Sequence, residues 1–214
     1  MLLCYITDRK QLPGDETTRR RLLLGEIGEA ARCGVDFVQL REKDLSGRQL
    51  EAFACDAVNV VGENPKPANR ASRTRLLLNS RTDIALAVGA DGVHLRSDDI
   101  SPSDVRIIWS QALRTRPTIG VSCHSAEDVQ RAASDRADFA LFGPVFEKRD
   151  APEIPAAGLE NLRRACRENI PVLALGGIAL ENARACLDAG AAGVAGIRLF
   201  QENDISKVVD LLRQ

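Results

Sequence analysis

The sequence predicts a single α/β domain, residues 1–214, folded as a compact (β/α)8 TIM barrel. Three observations support this. The length of 214 residues suits one large domain, apolar strand-like runs alternate with helical patterns, and the joints between helix and strand repeat. Four joints each pass from an alanine-rich helical segment through a short break into an apolar run: "AARCGVDFVQL", "ALAVGADGVHL", "RAASDRADFALF" and "CLDAGAAGVAGI".

The predicted strands are short and almost continuously apolar, as is typical of a parallel sheet covered by helices. They lie near residues 3–7, 36–41, 75–79, 91–94, 117–121, 138–142, 171–175 and 192–196. Helical patterns occupy residues 18–33, 46–61, 125–135, 158–168 and 180–189, and "SRTDIALAVGA" has room for a further short helix. An open doubly wound sheet is the alternative, but "TDRKQLPGDE" after the first strand is not a glycine-rich dinucleotide-binding turn.

The composition excludes several classes of function. The formal net charge of -1 provides no basic field for nucleic acid or for an anionic membrane. The start, "MLLCYITDRK", lacks the features of a signal peptide, and no apolar stretch has the length of a bilayer span. The 6 cysteines form no CxxC pair and only 2 histidines are present, which argues against a zinc site or a disulfide framework. We therefore expect a cytoplasmic protein with small-molecule partners, without nucleic-acid or membrane partners, and homo-oligomerisation stays open.

The stretch "DFVQLREK" is the first candidate for a binding site. In a strand, every second side chain points to the same face, so Phe37, Gln39, Arg41 and Lys43 would share one face. The carboxyl ends of barrel strands form the active site, and we expect the polar side chains to point into the mouth. Arginine and lysine there would bind an anion such as phosphate. For this segment alone, a solvated strand end is the alternative.

The last two predicted strands end in fragments that suggest a phosphate site. "LALGGI" places Gly176 and Gly177 after the seventh strand, and "VAGIR" places Ile197 and Arg198 after the eighth. Glycines let backbone N–H groups approach an anion, and the N-terminus of a following helix adds a favourable dipole. A tight turn without a ligand is the alternative for the glycines.

Acidic and imidazole side chains follow the fourth and fifth strands. "SDD" at residues 97–99 suits Mg²⁺ held together with substrate phosphates, or equally a loop capping a helix that is entered at Ser103. His94 is predicted to point into the barrel or to pack locally. His124, near Ser122, is placed to reach a ligand, although "HSAEDV" equally opens a helix. No acidic partner is assignable, so a Ser-His-acid triad is not supported.

Taken together, these fragments resemble the thiamine phosphate synthase and thiazole tautomerase family. The resemblance runs over nearly the whole chain, through "YITDR", "VDFVQLREKDL", "LLLNSRTDIALAVGADGVHLRSDD", "IGVSCHSAEDV", "ADFALFGPVF", "PVLALGGI" and "AGVAGI". It implies the same small barrel. It also implies a Mg²⁺-assisted coupling of 4-amino-2-methyl-5-pyrimidinylmethyl diphosphate with 4-methyl-5-(2-phosphoethyl)thiazole, which yields thiamine phosphate and pyrophosphate.

The resemblance also assigns expected roles to individual residues. The pyrimidine diphosphate would be held by Gln39, Arg41 and Lys43, with Asn79 and the metal ligand Asp99 beside it. Ser122 would contact pyrophosphate, and the thiazole phosphate would bind around Gly176, Gly177, Ile197 and Arg198. The expected catalytic set is Arg41, Lys43, Ser122 and His124.

Three departures from the synthase pattern leave alternatives. Ser80 follows Asn79 where synthases usually have aspartate, and Arg96 replaces a usual glycine. The loop after the sixth strand, "GPVFEKRDAPE", lacks the usual threonines, with Lys148 as the candidate for the family's substrate-binding lysine. These changes are compatible with a tautomerase, in which His124 would be a metal-independent general acid and base, or with a non-catalytic sensor of a phosphate ligand. "QLREK" and Asp99 favour the synthase.

Overall fold

The predicted barrel is present in the computed structural model, which describes residues 1–64, 72–113, 115–147, 149 and 152–213. Within these ranges, parallel strands pair in chain order and close into a barrel, with the last strand beside the first. They are β1 (Leu2–Ile6), β2 (Phe37–Leu40), β3 (Arg75–Asn79), β4 (Gly92–Leu95), β5 (Thr118–Cys123), β6 (Phe139–Phe142), β7 (Val172–Leu175) and β8 (Gly193–Gly196). The fold prediction is confirmed, and every strand lies within two residues of its predicted bounds.

Helices separate the strands and cover the outside of the barrel. They are α1 (Glu16–Cys33), α2 (Gly47–Glu63), α3 (Thr82–Val88), α4 (Pro102–Ala112), α5 (Ala126–Ser134), α6 (Gly158–Ala165), α7 (Leu180–Asp188), α8 (Arg198–Gln201) and α9 (Ile205–Arg213). Side chains of Asp15, Ser46, Ser101 and Ser125 cap four of these helices by accepting backbone N–H groups of the first turn. In the part of the chain that is described, no helix combines the length and apolarity needed to cross a membrane.

Three of the four repeated joints carry an aspartate that ties neighbouring strands together. Asp36, Asp91 and Asp138 stand directly before β2, β4 and β6, and each carboxylate accepts a backbone N–H of the preceding strand. The donors are Leu3, Leu76 and Ile119, at 2.8, 2.9 and 2.8 Å. Before β8 the same position is occupied by Ala192. Its backbone N–H donates to the carbonyl of Val172, just as the backbone N–H groups of the three aspartates donate to carbonyls of β1, β3 and β5. The sequence repeat therefore reflects a strand-locking hydrogen bond.

At the N-terminal end of the barrel, phenylalanine and glycine alternate at the start of the even-numbered strands. Phe37 of β2 and Phe139 of β6 stack with ring centroids 4.6 Å apart and 15° between their planes. The intervening even-numbered strands begin with Gly92 and Gly193. A Cβ atom on Gly120 of β5 would overlap the Phe139 ring, so a glycine there leaves room for the aromatic pair.

Candidate active site

Four polar side chains from β2 to β5 meet inside the upper barrel. Gln39 Nε2 donates to Asn79 Oδ1 at 2.8 Å and lies 2.9 Å from His94 Nδ1. On its other side, His94 Nε2 lies 3.5 Å from Ser122 Oγ. The structure thus joins three predicted site residues: Gln39 contacts Asn79 directly, and His94, for which the sequence predicted no ligand-binding role, links Gln39 to Ser122.

The hydrogen bonds of these four side chains indicate which nitrogen of His94 carries the proton. An amide NH₂ group can only donate, so His94 Nδ1 is the acceptor and its proton lies on Nε2. The imidazole then donates toward Ser122 Oγ, which leaves the Ser122 hydroxyl proton for an anionic ligand. Burial, aided by the positive charge of Arg41, lowers the pKa of His94 to about 4. His94 is therefore neutral near pH 7.

One buried polar atom of the network formed by Gln39, Asn79, His94 and Ser122 has no hydrogen-bond partner among the described residues. Gln39 Oε1 is buried and accepts no hydrogen bond from the described residues, and the whole residue is only 2% exposed. Leaving a buried amide oxygen unpaired costs about 1–3 kcal/mol. Gln39 Oε1 is therefore an acceptor of this network that has no partner among the described residues.

The opposite half of the interior is apolar. It is lined by side chains of β1 and β6 to β8 that cluster together: Ile6, Leu141, Leu173, Leu175, Ala195 and Ile197. The mouth therefore offers hydrogen-bonding groups on one side and aliphatic surface on the other. This division suits a flat ring with a polar edge.

Arg41 and Lys43 differ in their placement. β2 ends at Leu40, and the backbone N–H of Arg41, a half-buried residue, donates to Thr7 Oγ1 at 3.0 Å. Lys43 is exposed in the turn that precedes α2. The predicted strand alternation therefore does not reach Lys43, because the backbone has left the sheet, and that part of the prediction is wrong.

Asp99 is an ionised carboxylate beside Ser80. Burial works to raise its pKa, but hydrogen bonds from the Ser80 hydroxyl and from Arg96 lower it below the ordinary value. The Arg96 backbone N–H donates to Asp99 Oδ2 at 2.7 Å. The alternative of a loop entering a helix is confirmed, since this stretch leads into α4 one residue before the predicted Ser103, with Ser101 as the capping residue.

The predicted Mg²⁺ site has few protein ligands. In residues 1–64, 72–113, 115–147, 149 and 152–213, no cluster of three or more His, Cys, Asp or Glu side chains is arranged to hold a metal. The oxygen donors at Asp99 and Ser80 nevertheless fit a Mg²⁺ ion whose other ligands are substrate phosphates and water. Ser80 has φ 61°, a conformation in which aspartate and asparagine are enriched among non-glycine residues.

Tight packing accounts for the paired glycines after β7. Gly176 and Gly177 have φ of 91° and 65°, and a Cβ atom on Gly177 would lie 2.6 Å from the Glu147 carbonyl oxygen. A cavity of about 270 Å³ adjoins them and is lined by Arg149, Arg198 and three glutamates, among other residues. The turn alternative thus explains the glycines by itself, and phosphate binding at Gly176, Gly177, Ile197 and Arg198 stays a prediction.

His124 lies just beyond β5 with one nitrogen anchored. Its Nδ1 is 2.6 Å from the carbonyl oxygen of Gly143. A carbonyl only accepts, so Nδ1 carries the proton of this hydrogen bond. The expectation that "HSAEDV" opens a helix is confirmed, since Ser125 caps α5. Lys148 lies outside the described residues.

Sequence reasoning missed an ionic cluster beside the site. Thr7 and Arg9 follow β1, Glu42 and Asp44 follow β2, and the four residues are linked by hydrogen bonds. The motifs "TDR" and "REKD" carry opposite charges directly after two consecutive strands. Because adjacent parallel strands bring their ends together, these charges were sufficient to predict the contact.

Comparisons with known proteins agree on one family. The family model described as "Thiamine monophosphate synthase" matches residues 3–200. The thiamine-phosphate synthase of Syntrophomonas wolfei is 37% identical over 217 residues, which cover 99% of this chain and 94% of the relative. That of Roseiflexus castenholzii is 37% identical, covering 92% of this chain and 79% of the relative.

A solved structure of related sequence has the same fold. It is described as a thiamine phosphate pyrophosphorylase from Pyrococcus furiosus and is 30% identical. The superposition covers 99% of this chain and 93% of the other, with a TM-score of 0.78.

Proposed function

Because the chain belongs to the thiamine monophosphate synthase family, we propose that it is a transferase that makes thiamine phosphate. It would couple the aminopyrimidine methyl diphosphate to the thiazole phosphate and release pyrophosphate. The observation that carries the assignment is the family match over residues 3–200, and it is supported by the buried Gln39 Oε1, which has no partner among the described residues. An aminopyrimidine supplies the N–H group that this oxygen lacks, and its ring matches the apolar half.

The proposed reaction requires charge stabilisation rather than a protein nucleophile. As the bond to the diphosphate breaks, negative charge grows on the leaving group and cationic character grows on the pyrimidine methylene. Arg41, Lys43 and the Ser122 hydroxyl would stabilise the leaving group. Cys123, the cysteine on a strand end of this site, is buried, and burial raises its pKa to about 12. Its thiolate is therefore scarce at neutral pH.

Asp99 and Ser80 would hold Mg²⁺, which when bound neutralises part of the diphosphate charge. Both substrates are charged phosphates that do not cross a bilayer unaided, so we place the protein in the cytoplasm. Homo-oligomerisation stays a prediction.

Pyrophosphate release is expected to need both substrates and Mg²⁺. Omitting either substrate should abolish release, and EDTA should lower it by at least about tenfold, because Asp99 and the diphosphate are both anionic and would repel each other without Mg²⁺ between them. Pyrophosphate would be measured with a coupled assay, and excess Mg²⁺ should restore the rate. Metal-independent turnover of the thiazole carboxylate alone would instead support the tautomerase.

His124→Ala is expected to lower thiamine phosphate formation by less than about tenfold, because the synthase reaction moves no essential proton through this side chain. The imidazole, anchored through Nδ1 to the Gly143 carbonyl, favours the tautomerase as the second candidate, and a general acid–base residue contributes ~10²–10⁴-fold. Both reactions would be assayed on wild type and variant, with folding checked by thermal melting.

Ser122→Ala is the matched control, since loss of a pyrophosphate contact should harm the synthase reaction more than His124→Ala does. The choice of synthase would be overturned if wild type made no thiamine phosphate and His124→Ala reduced tautomerisation a hundredfold or more. Phosphate-ligand binding without either turnover would identify the non-catalytic sensor.

A further inference from the structure

Glu42 forms a buried ion pair next to the proposed diphosphate site. Its side chain is 1% exposed, and that of Arg9 is 4% exposed. Glu42 Oε2 accepts from Arg9 Nη1 at 3.0 Å and from the Arg9 backbone N–H at 3.1 Å. Its other oxygen, Oε1, accepts from Thr7 Oγ1 at 2.6 Å. Two strand ends are therefore joined by one carboxylate whose neighbours in the chain are Arg41 and Lys43.

Thr7 transmits this anchoring to Arg41. A hydroxyl has one proton, and in Thr7 that proton is donated to Glu42. The lone pairs of Thr7 Oγ1 are thereby left for the backbone N–H of Arg41, at 3.0 Å. Removing the acceptor at Glu42 would free the hydroxyl to rotate and loosen the backbone of Arg41.

Arg9 fixes the position of Lys43 from both sides in the chain. Glu42 precedes Lys43 and Asp44 follows it, and the same guanidinium binds both carboxylates. The contacts to Asp44 are 2.7 and 2.9 Å, and the bond from Arg9 lowers the pKa of Asp44 well below its ordinary value. Arg9 is thus neutralised by carboxylates and does not compete for the diphosphate.

We propose that Glu42 is a positioning residue for diphosphate binding, which holds Arg41 through Thr7 and holds Lys43 through Arg9. This role rests on the proposed function. Glu42 does not touch the substrate itself, since it is buried against Thr7 and Arg9. Its contribution is to keep two flanking cationic residues in place before the anion arrives, which lowers the cost of ordering them on binding.

Glu42→Gln should weaken pyrophosphate binding by about tenfold and raise KM for the pyrimidine diphosphate similarly, with KM for the thiazole phosphate unchanged. Pyrophosphate affinity would be measured by calorimetry and KM by steady-state kinetics. Glu16→Gln is the matched control, because it removes an exposed carboxylate from the same arginine. It should change both quantities by less than about twofold.

Thr7→Val tests the contact between Glu42, Thr7 and Arg41 without breaking the ion pair of Glu42 with Arg9. It therefore provides an independent test if the Glu42→Gln protein does not fold. It should weaken pyrophosphate binding, and Thr7→Ser, which keeps the hydroxyl, should restore it. A purely structural role would lower kcat through loss of active protein and leave the affinity of the folded fraction unchanged.

The outcomes separate this inference from the proposed activity. Wild-type pyrophosphate affinity in folded Glu42→Gln or Thr7→Val, or an equal loss in Glu16→Gln, would refute the positioning role. A wild-type protein that binds pyrophosphate but forms no thiamine phosphate would refute the activity instead.

Discussion

Arg41→Ala is expected to lower kcat/KM for the pyrimidine diphosphate by about 3 kcal/mol, roughly a hundredfold. Arg41 is half-buried just beyond β2 with its backbone held by Thr7, and in the proposed diphosphate site its guanidinium would face the charge that develops on the leaving group. An interaction that strengthens as the bond breaks acts on kcat as well as on KM. Steady-state kinetics with saturating thiazole phosphate would measure both.

Two further variants define the origin of this effect. Arg41→Lys should recover only part of the activity, because an ammonium group lacks the planar fork that matches phosphate oxygens. Arg116→Ala removes an arginine of an exposed ion pair with Asp138, next to the first residues of β5 and β6, and should leave the kinetics unchanged. Wild-type kinetics in a folded Arg41→Ala protein would contradict the proposed diphosphate site.

Gly193→Ala is expected to lower the free energy of unfolding by about 3 kcal/mol or more. A Cβ atom at this position would overlap the carbonyl group of Leu2, where β8 pairs with β1 and closes the barrel. The obstructing atoms belong to the backbone, so no side-chain rotation relieves the overlap, and the two strands would have to separate. Denaturant unfolding followed by circular dichroism would measure the change.

Gly25→Ala is the control for the same chemical change. Gly25 is an exposed residue inside α1, and an added Cβ would meet nothing within 4 Å. Alanine there should stabilise the protein by about 0.5–1 kcal/mol, because it restricts the unfolded chain and favours the helix. A Gly193→Ala protein as stable as wild type would show that the strands at the closing seam can shift to admit a side chain.

The sequence by itself determined the barrel, the approximate bounds of its strands and the family. These depend on local patterns. The alternation of side chains along a strand and the helix-to-strand joints each involve a few neighbouring residues, so they can be recognised in the sequence. The end of a β-strand can be recognised in the same way, where an apolar run stops. Gln39 was predicted as a site residue from this alternation, whereas the roles of Asn79 and Ser122 came from the family resemblance; each of the three stands at or next to the end of a strand.

The tertiary structure decided which of these side chains meet and in which protonation state. Gln39 and His94 are 55 positions apart, and only closure of the barrel brings the imidazole between Gln39 and Ser122. Closure also buries the imidazole, which keeps it neutral. Pairing of β1 with β2 likewise brings Arg9 to Glu42, 33 positions away in the chain. Glu42 is buried beyond the end of β2 and takes its charged partner from another strand end, as a buried carboxylate requires, while Lys43 beside it is exposed.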